Sequence, residues 1–360
     1  MTRVEKRIFK TTWSRYLLNT LATAALITVL MVLVDTKQIN KYNQGLLIQI
    51  GFNIILAVSL NLSAGFLGQL PLGHAGFMSV GAYAAALFTK GVNLPQSVAF
   101  PLGVLVGAFV AFLFGILIGL PALRLKGDYL AIITLGFSEI IRVIIQNLDF
   151  TGGAAGLRKI PKYTTVGWTI FWVVVTLFLI CTLIKSRHGR AILSIREDEI
   201  AAEASGVSTT YYKVTTFALS AAFAGVAGAL YAHYMRILDP AYFDFMKSAE
   251  ILVMVVLGGM GSIIGSVFAA TVLTLLPEWL RDLAALPFFT TLPAWVGKVI
   301  ENRMIIYALI LVLVMIFKPS GLFGRYDFSL GKELDRVFRG IRRLLGLDKR
   351  SGKPSKGGEN

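Results

Sequence analysis

Residues 97–120 read SVAFPLGVLVGAFVAFLFGILIGL, without a single charged side chain. A helix needs about 20 mostly apolar residues to cross the hydrocarbon core of a bilayer, and this run supplies them. The whole chain of 360 residues follows suit. It is 56% hydrophobic and only 15% charged, and its mean hydropathy is +0.70. Soluble domains carry about 25% charged residues, so a water-soluble globule, a disordered protein and a disulfide scaffold are excluded. The single cysteine, Cys181, sits in an apolar run and has no partner within the chain, so the redox compartment cannot be read from it.

Working outward, similar runs occur at Tyr16–Val34, Gly45–Ala64, Gly73–Phe88, Asp128–Asn147, Val166–Ile184 and Val214–Tyr234. A short Ile251–Leu257, a longer Ile263–Leu280 and a final Met304–Phe317 complete the set. The expectation is an all-α, polytopic transmembrane bundle of about ten elements, some broken or short, with both termini in the cytoplasm. Tyr16–Val34 reads as an uncleaved first span, because its apolar stretch exceeds that of a signal peptide and no small-residue cleavage site follows. The domains are then a basic N-terminus at 1–15, a transmembrane domain at 16–322 with a cytoplasmic loop at 185–213, and a basic tail at 323–360.

The net charge of +15 comes from 35 Lys and Arg against 20 Asp and Glu, and it concentrates at the two ends. Basic flanks of a membrane domain set orientation and meet anionic lipid headgroups, so membrane lipids are expected partners and nucleic acid is not. The two tails decide the orientation; the interior loops do not reinforce it.

Three places interrupt the helical pattern: 65–74 (GFLGQLPLGH), 258–262 (GGMGS) and Gly152-Gly153. Non-helical backbone at membrane depth survives only where protein buries it or where it lines a cavity. Glycine and proline interruptions in both halves of a chain point to a transporter's substrate route. Gln69, His74, Gly258, Gly259, Gly261 and Ser262 are therefore expected beside a translocation path, whereas Gly152-Gly153 reads as an ordinary connection. Within Asp128–Asn147, the side chains of Asp128, Glu139, Arg142 and Gln146 fall within an arc of about 60° at 100° per residue. Glu139 and Arg142 stand at i, i+3, where they neutralise each other, either as a packing pair or as part of the lining.

The loop 185–213 holds a soluble helix. Ser194 and Glu197 have the spacing of a capping box, Glu197, Asp198 and Glu199 suit a helix start, and Gly206 supplies a stop. One amphipathic helix over Ile195–Ser205 is expected, with Ile200 and Ala204 on one face. Alone it is too short to be stable, so it docks either on a partner or on its own membrane domain. No phosphate-binding G-x-x-x-x-G-K-[ST] loop occurs, the three histidines are scattered, and no metal cluster or catalytic arrangement is suggested.

Taken together, residues 65–88 (GFLGQLPLGHAGFMSVGAYAAALF), 127–142, 189–232, 257–270 (LGGMGSIIGSVFAA) and 317–324 (FKPSGLFG) resemble, in order, the signatures of the LivM/LivH permeases of branched-chain amino-acid ABC importers. The resemblance spans roughly 45–325 and is closer to LivM. Pro71 departs from it, standing where the family pattern has Ser. The resemblance implies a non-enzymatic permease subunit paired with a homologous LivH-type permease, two cytoplasmic ATP-binding subunits and an extracytoplasmic binding protein. It implies no cofactor in this chain; ATP is held by the partners. It also makes the 195–206 helix the ATPase coupling element, with Ser194, Glu197, Ile200, Glu203, Ala204 and Gly206 as its working residues and Glu203-Ala204-Ser205-Gly206 as a degenerate coupling-loop motif. An ion-coupled transporter or channel, or a urea or amide importer, is the alternative reading.

Overall fold

Four polar side chains start helices where the chain leaves an extended segment. Thr165, Ser186, Asp198 and Asp244 each accept a hydrogen bond from a first-turn N–H of the helix that follows. This satisfies donors that a helix cannot pair internally. The structure, a computed structural model, describes residues 40–125, 127–284 and Val312. The expected spans Tyr16–Val34 and Met304–Phe317, Val312 apart, lie outside the described residues, as do both basic tails.

The described helices are α1 (Lys41–Asn61), which runs on into a π-helical turn at Leu62–Phe66, α2 (His74–Gly91), α3 (Gln96–Ala122), α4 (Asp128–Asn147), α5 (Val166–Lys185), α6 (Arg187–Glu197), α7 (Glu199–Ala204), α8 (Thr209–Met235), α9 (Phe245–Gly258) and α10 (Ile263–Ala284). Among the described residues the only strand-like feature is a bridge between Leu157 and Leu238. All eight apolar runs expected within this range are helices. Four of the helices, Lys41–Phe66, α3, α5 and α8, are long and apolar enough to cross a membrane. This is an all-α membrane bundle.

Helix α1 is its centre. Residues from Ile50 to Leu67 are buried almost without exception, and α1 packs against α5, α8, α9 and α10. Its polar side chains bind it to its neighbours. Asn53 donates to Thr274 Oγ1 of α10 at 2.9 Å, Ser59 Oγ meets His74 Nε2 of α2 at 2.8 Å, and Ser220 Oγ of α8 donates to the Ser59 carbonyl at 2.6 Å. Lipid supplies no hydrophobic drive between helices, so such bonds and close backbone packing hold a bundle together. The second device shows where α2, α3 and α8 meet. A Cβ on Gly107 would come within 2.6 Å of the Gly81 carbonyl, and one on Gly225 within 2.8 Å of the Gly107 carbonyl. Only glycine lets these backbones approach so closely.

Helices α3 and α5 turn their remaining faces outward. Phe109, Leu117 and Phe178 are all more than 60% exposed. A patch of this size is a liability in water and normal against lipid or another membrane subunit.

Candidate functional site

Asn61 ends the regular part of α1, and its side chain reaches the second helix break. Its carbonyl oxygen accepts from the Gly261 N–H at 2.8 Å, and its amide nitrogen donates to the Ser262 carbonyl at 3.0 Å and to Ser266 Oγ at 2.7 Å. One turn later, Gly65 lies against Gly261 so closely that a Cβ would collide with the Gly261 nitrogen. The two breaks, 65–74 and 258–262, thus form one junction.

The chemistry of each break explains its shape. The π-helical turn 62–66 closes with Leu67 N–H bonded to the Leu62 carbonyl at 3.2 Å, and Gln69 N–H reaches back to the Ser63 carbonyl at 2.9 Å. Gly68 has φ +77°, a left-handed conformation that favours glycine. The extended segment then runs up to Leu72, whose N–H bonds to Thr134 Oγ1 of α4 at 3.0 Å. In the other break, Gly259 and Gly261 have φ +105° and +87°, and Ser262 Oγ accepts from Gly265 N–H at 3.1 Å to start α10. Gly258 is still helical and packs against Gly265.

The expected route residues separate into three groups. Gly261 and Ser262 meet the 65–74 break through Asn61 and Gly65, while Gly259 shapes the same turn and Gly258 packs on Gly265. Gln69 is half-buried beside exposed Gly68 at the edge of the junction. His74 differs from expectation: it is 1% exposed, bonded to Ser59, and sits inside the packing of α1 and α2 rather than on an open route. The reason is the chain's return into the bundle after Pro71, which seats the start of α2 beside Ser59, two residues before the end of α1.

Glu139 and Arg142 form the expected pair, with Arg142 Nε donating to Glu139 Oε2 at 2.8 Å. Both are half-buried on the edge of a face where Tyr129, Ile132, Ile140 and Ile144 are exposed. Asp128 stands in the first turn of α4, and Gln146 is half-buried near its end.

The loop 185–213 holds two helices where one was expected. Ser186 caps α6, and Asp198 breaks the chain and caps α7, accepting from Ile200 N–H at 2.9 Å and Ala201 N–H at 3.0 Å. The capping box at Ser194 and Glu197 is therefore wrong. Ser194 lies within α6 and donates to the Ala191 carbonyl at 2.9 Å, while Glu197 is the last residue of that helix. Asp198 wins because its short carboxylate serves two N–H groups from an extended backbone. Gly206 does act as the stop, with φ +85° and its N–H bonded to the Glu203 carbonyl at 2.9 Å.

Both docking possibilities for this loop correspond to a real face. Ile192, Ile195 and Ala202 are buried in a small core with Phe66 and Leu67, at the end of the first break. A pair between buried Lys213 and half-buried Glu199, at 2.5 Å, ties α7 to the foot of α8. On the outer side, Ile200 is 76% exposed, and Glu197, Glu203 and Ala204 are exposed with it.

Arg196 joins the two systems. From α6, its Nη1 donates to the Gly65 carbonyl at 2.8 Å. The sequence reading passed over Asn61, Ser266 and Arg196. Asn61 carried a signal, since a carboxamide in an apolar span is costly unless partnered, and it stands at i, i+4 from Gly65. Arg196 carried none, because a loop arginine ordinarily faces solvent. Among the described residues no cluster of three or more His, Cys, Asp or Glu side chains could hold a metal ion.

The family model described as "Branched-chain amino acid transport system / permease component" matches residues 42–315. Among curated proteins, the chain is 38% identical over 304 residues to the high-affinity branched-chain amino acid transport system permease protein LivM of Salmonella typhimurium, covering 75% of this chain and 67% of the relative. It is 25% identical to the probable LivM of Methanocaldococcus jannaschii, covering 77% and 92%. It is 23% identical to LivH of Escherichia coli K12, covering 75% and 91%. No solved structure matches. The helical membrane bundle, its paired glycine breaks and the match over most of its length agree: this chain is a transport permease of the branched-chain amino acid transport system permease family.

Proposed function

We propose that the chain is the LivM-type translocation subunit of an ATP-driven importer for branched-chain or related amino acids. A homologous LivH-type permease stands beside it, two ATP-binding subunits sit under the loop 185–213, and an extracytoplasmic binding protein delivers the substrate. The chain itself holds no cofactor. About ten membrane elements place both ends in the cytoplasm of a prokaryotic cell, where the basic tails meet anionic headgroups.

The observation that carries this reading is the two-sided arm formed by α6 and α7. One side is fastened to the membrane domain at the first helix break. The other presents a large apolar side chain, Ile200, between acidic residues, on a helix with a capped start and a glycine stop. A fastened, rigid arm with an exposed apolar tip suits force transfer from a neighbouring subunit. In such a cycle, ATP-driven closure of the partners would move the arm, and the two permeases would rock between outward- and inward-facing states. Glu139 and Arg142 fit a place on the wall between the two permeases. An ion pair left facing lipid is costly, so that face of α4 calls for a protein neighbour or water.

Purification of the tagged chain from its own membrane, followed by identification of what accompanies it, tests the assembly. ATP-hydrolysing subunits and a second permease are expected; a chain that comes away alone and still transports on an ion gradient overturns the reading. Ala204→Glu places an unpaired carboxylate in the apolar contact, costing about 3–5 kcal/mol if it stays buried. The chain should remain in the membrane while substrate-stimulated ATP hydrolysis disappears. Full stimulation in this variant removes α7 from the coupling contact.

A further inference from the structure

We infer that Arg196 is the strut through which the α6–α7 arm moves the junction of the two helix breaks, a positioning role that rests on the importer reading above. Three contacts converge on this side chain. Its Nη1 donates to the Gly65 carbonyl at 2.8 Å. Its stem lies across Gly68, where a Cβ would come within 2.9 Å of Arg196 Cγ. Its Nη1 also faces Gly261, where a Cβ would stand 3.1 Å away. One residue of the cytoplasmic arm is thus bonded to the first break and flanks the second.

The physical chemistry favours a link over mere packing. The Gly65 carbonyl belongs to the last turn of the helix that enters the first break, where a helix cannot satisfy its own acceptors and where a cation is favoured. A guanidinium is a planar fork of donors with a permanent charge. Nη2 lies 3.5 Å from Glu197 Oε1 on the same arm, which orients the plane. The Glu199–Lys213 pair and the His188–Tyr212 hydrogen bond tie the arm to α8; against the first break itself, its other attachment is the apolar seam of Ile192, Ile195 and Ala202 on Phe66 and Leu67. Apolar contact is non-directional, so that seam allows sliding. The hydrogen bond to Gly65 is directional and fixes the arm in register with the junction. Gly68 and Gly261 carry no side chain, which leaves room for the arginine to reach the Gly65 backbone.

The test uses the whole purified transporter in lipid vesicles, with ATPase subunits, partner permease and loaded binding protein. Uptake, ATP hydrolysis and subunit content are measured together. In Arg196→Ala the ATPase subunits should stay bound and hydrolysis should continue, while substrate moved per ATP falls roughly tenfold, the effect of one lost charge-assisted hydrogen bond. Arg196→Lys should recover part of the ratio, since an ammonium can still donate to the Gly65 carbonyl. A merely structural role would lower uptake and hydrolysis in proportion and leave the ratio alone. An unchanged ratio in Arg196→Ala overturns the strut, as does loss of the ATPase subunits from both variants. If Arg196→Ala is not recovered folded, Arg196→Lys and Gly68→Ala, which displaces the arginine stem, decide the matter: unchanged ratios in both overturn it. A wild-type transporter that needs no ATP sinks the importer reading itself and the strut with it, a result distinct from an ATP-dependent wild type whose variants stay coupled.

Discussion

The segments Gly152–Gly156 and Gly258–Ser262 are both glycine-rich turns between helices, yet they are built for different purposes. In the first, Gly152, Gly153 and Gly156 all have positive φ, and their neighbours are local backbone and the strand-like bridge to Leu238. In the second, Gly259 and Gly261 are also left-handed, but Asn61 and Arg196 come from two distant helices to fasten or flank the turn. Glycine content marks where a backbone must take positive φ. What distinguishes a junction from a connection is whether side chains far away in sequence are committed to it.

The comparison can be broken by substitutions at matched depth in the two regions. The largest effect is expected from Asn61→Leu, which keeps the volume and removes three hydrogen bonds, two of them buried. Bonds between membrane helices average about 0.6 kcal/mol and reach roughly 1.7, while the part-buried N–H left stranded at Gly261 adds about 1 kcal/mol, the low end of that penalty. A loss of about 3 kcal/mol should appear as a clearly lower thermal unfolding midpoint in detergent, with uptake abolished. Near wild-type uptake in this variant would show that the two breaks act separately.

Gly65→Ala comes next. Its backbone φ is ordinary, so the penalty is crowding alone: a methyl group directed at the Gly261 nitrogen forces the breaks apart. Overpacking of this kind costs about 1–3 kcal/mol. Folded protein should still reach the membrane, and uptake should fall further than ATPase binding does, as read by transport assay against subunit content. Equal losses in the two would mean that the contact only supports the fold.

The smallest effect is expected from Gly153→Ala. The new Cβ would meet only the Gln146 carbonyl at 3.4 Å, an ordinary contact, so what remains is the strain of φ +56°, about 1–2 kcal/mol. Uptake should be retained with a slightly lower unfolding midpoint. A transport defect here as severe as that of Gly65→Ala would erase the distinction between the two glycine segments.

Much of the architecture was legible in the chain. Asp128–Asn147 begins and ends as read, because Gly127 and the extended Leu148 flank it and an unbroken apolar periodicity fills it. The short run Ile251–Leu257 was read six residues late at its start, since Phe245–Glu250 includes Lys247 and Glu250 and so looks polar. In the fold these two neutralise each other at 2.9 Å and the helix begins at its Asp244 cap. The loop 185–213 misled in the opposite way. Two competing caps, Ser186 and Asp198, each outdid Ser194 by preceding a helix from extended backbone.

The sequence by itself determined that this is a helical membrane protein, where its apolar segments lie, that it breaks at two glycine clusters, and that a helical, glycine-stopped arm occupies 185–213. These properties are local: they depend on apolar run length, on residues that tolerate positive φ, and on side chains that reach their own backbone. That the two breaks are one junction, that His74 is buried in packing while Asn61 does the bridging, and that Arg196 reaches across from the arm were decided only in three dimensions. Those contacts join residues from 15 to 205 positions apart, and no periodicity or spacing in a single chain records which distant polar group will satisfy which buried carbonyl or N–H.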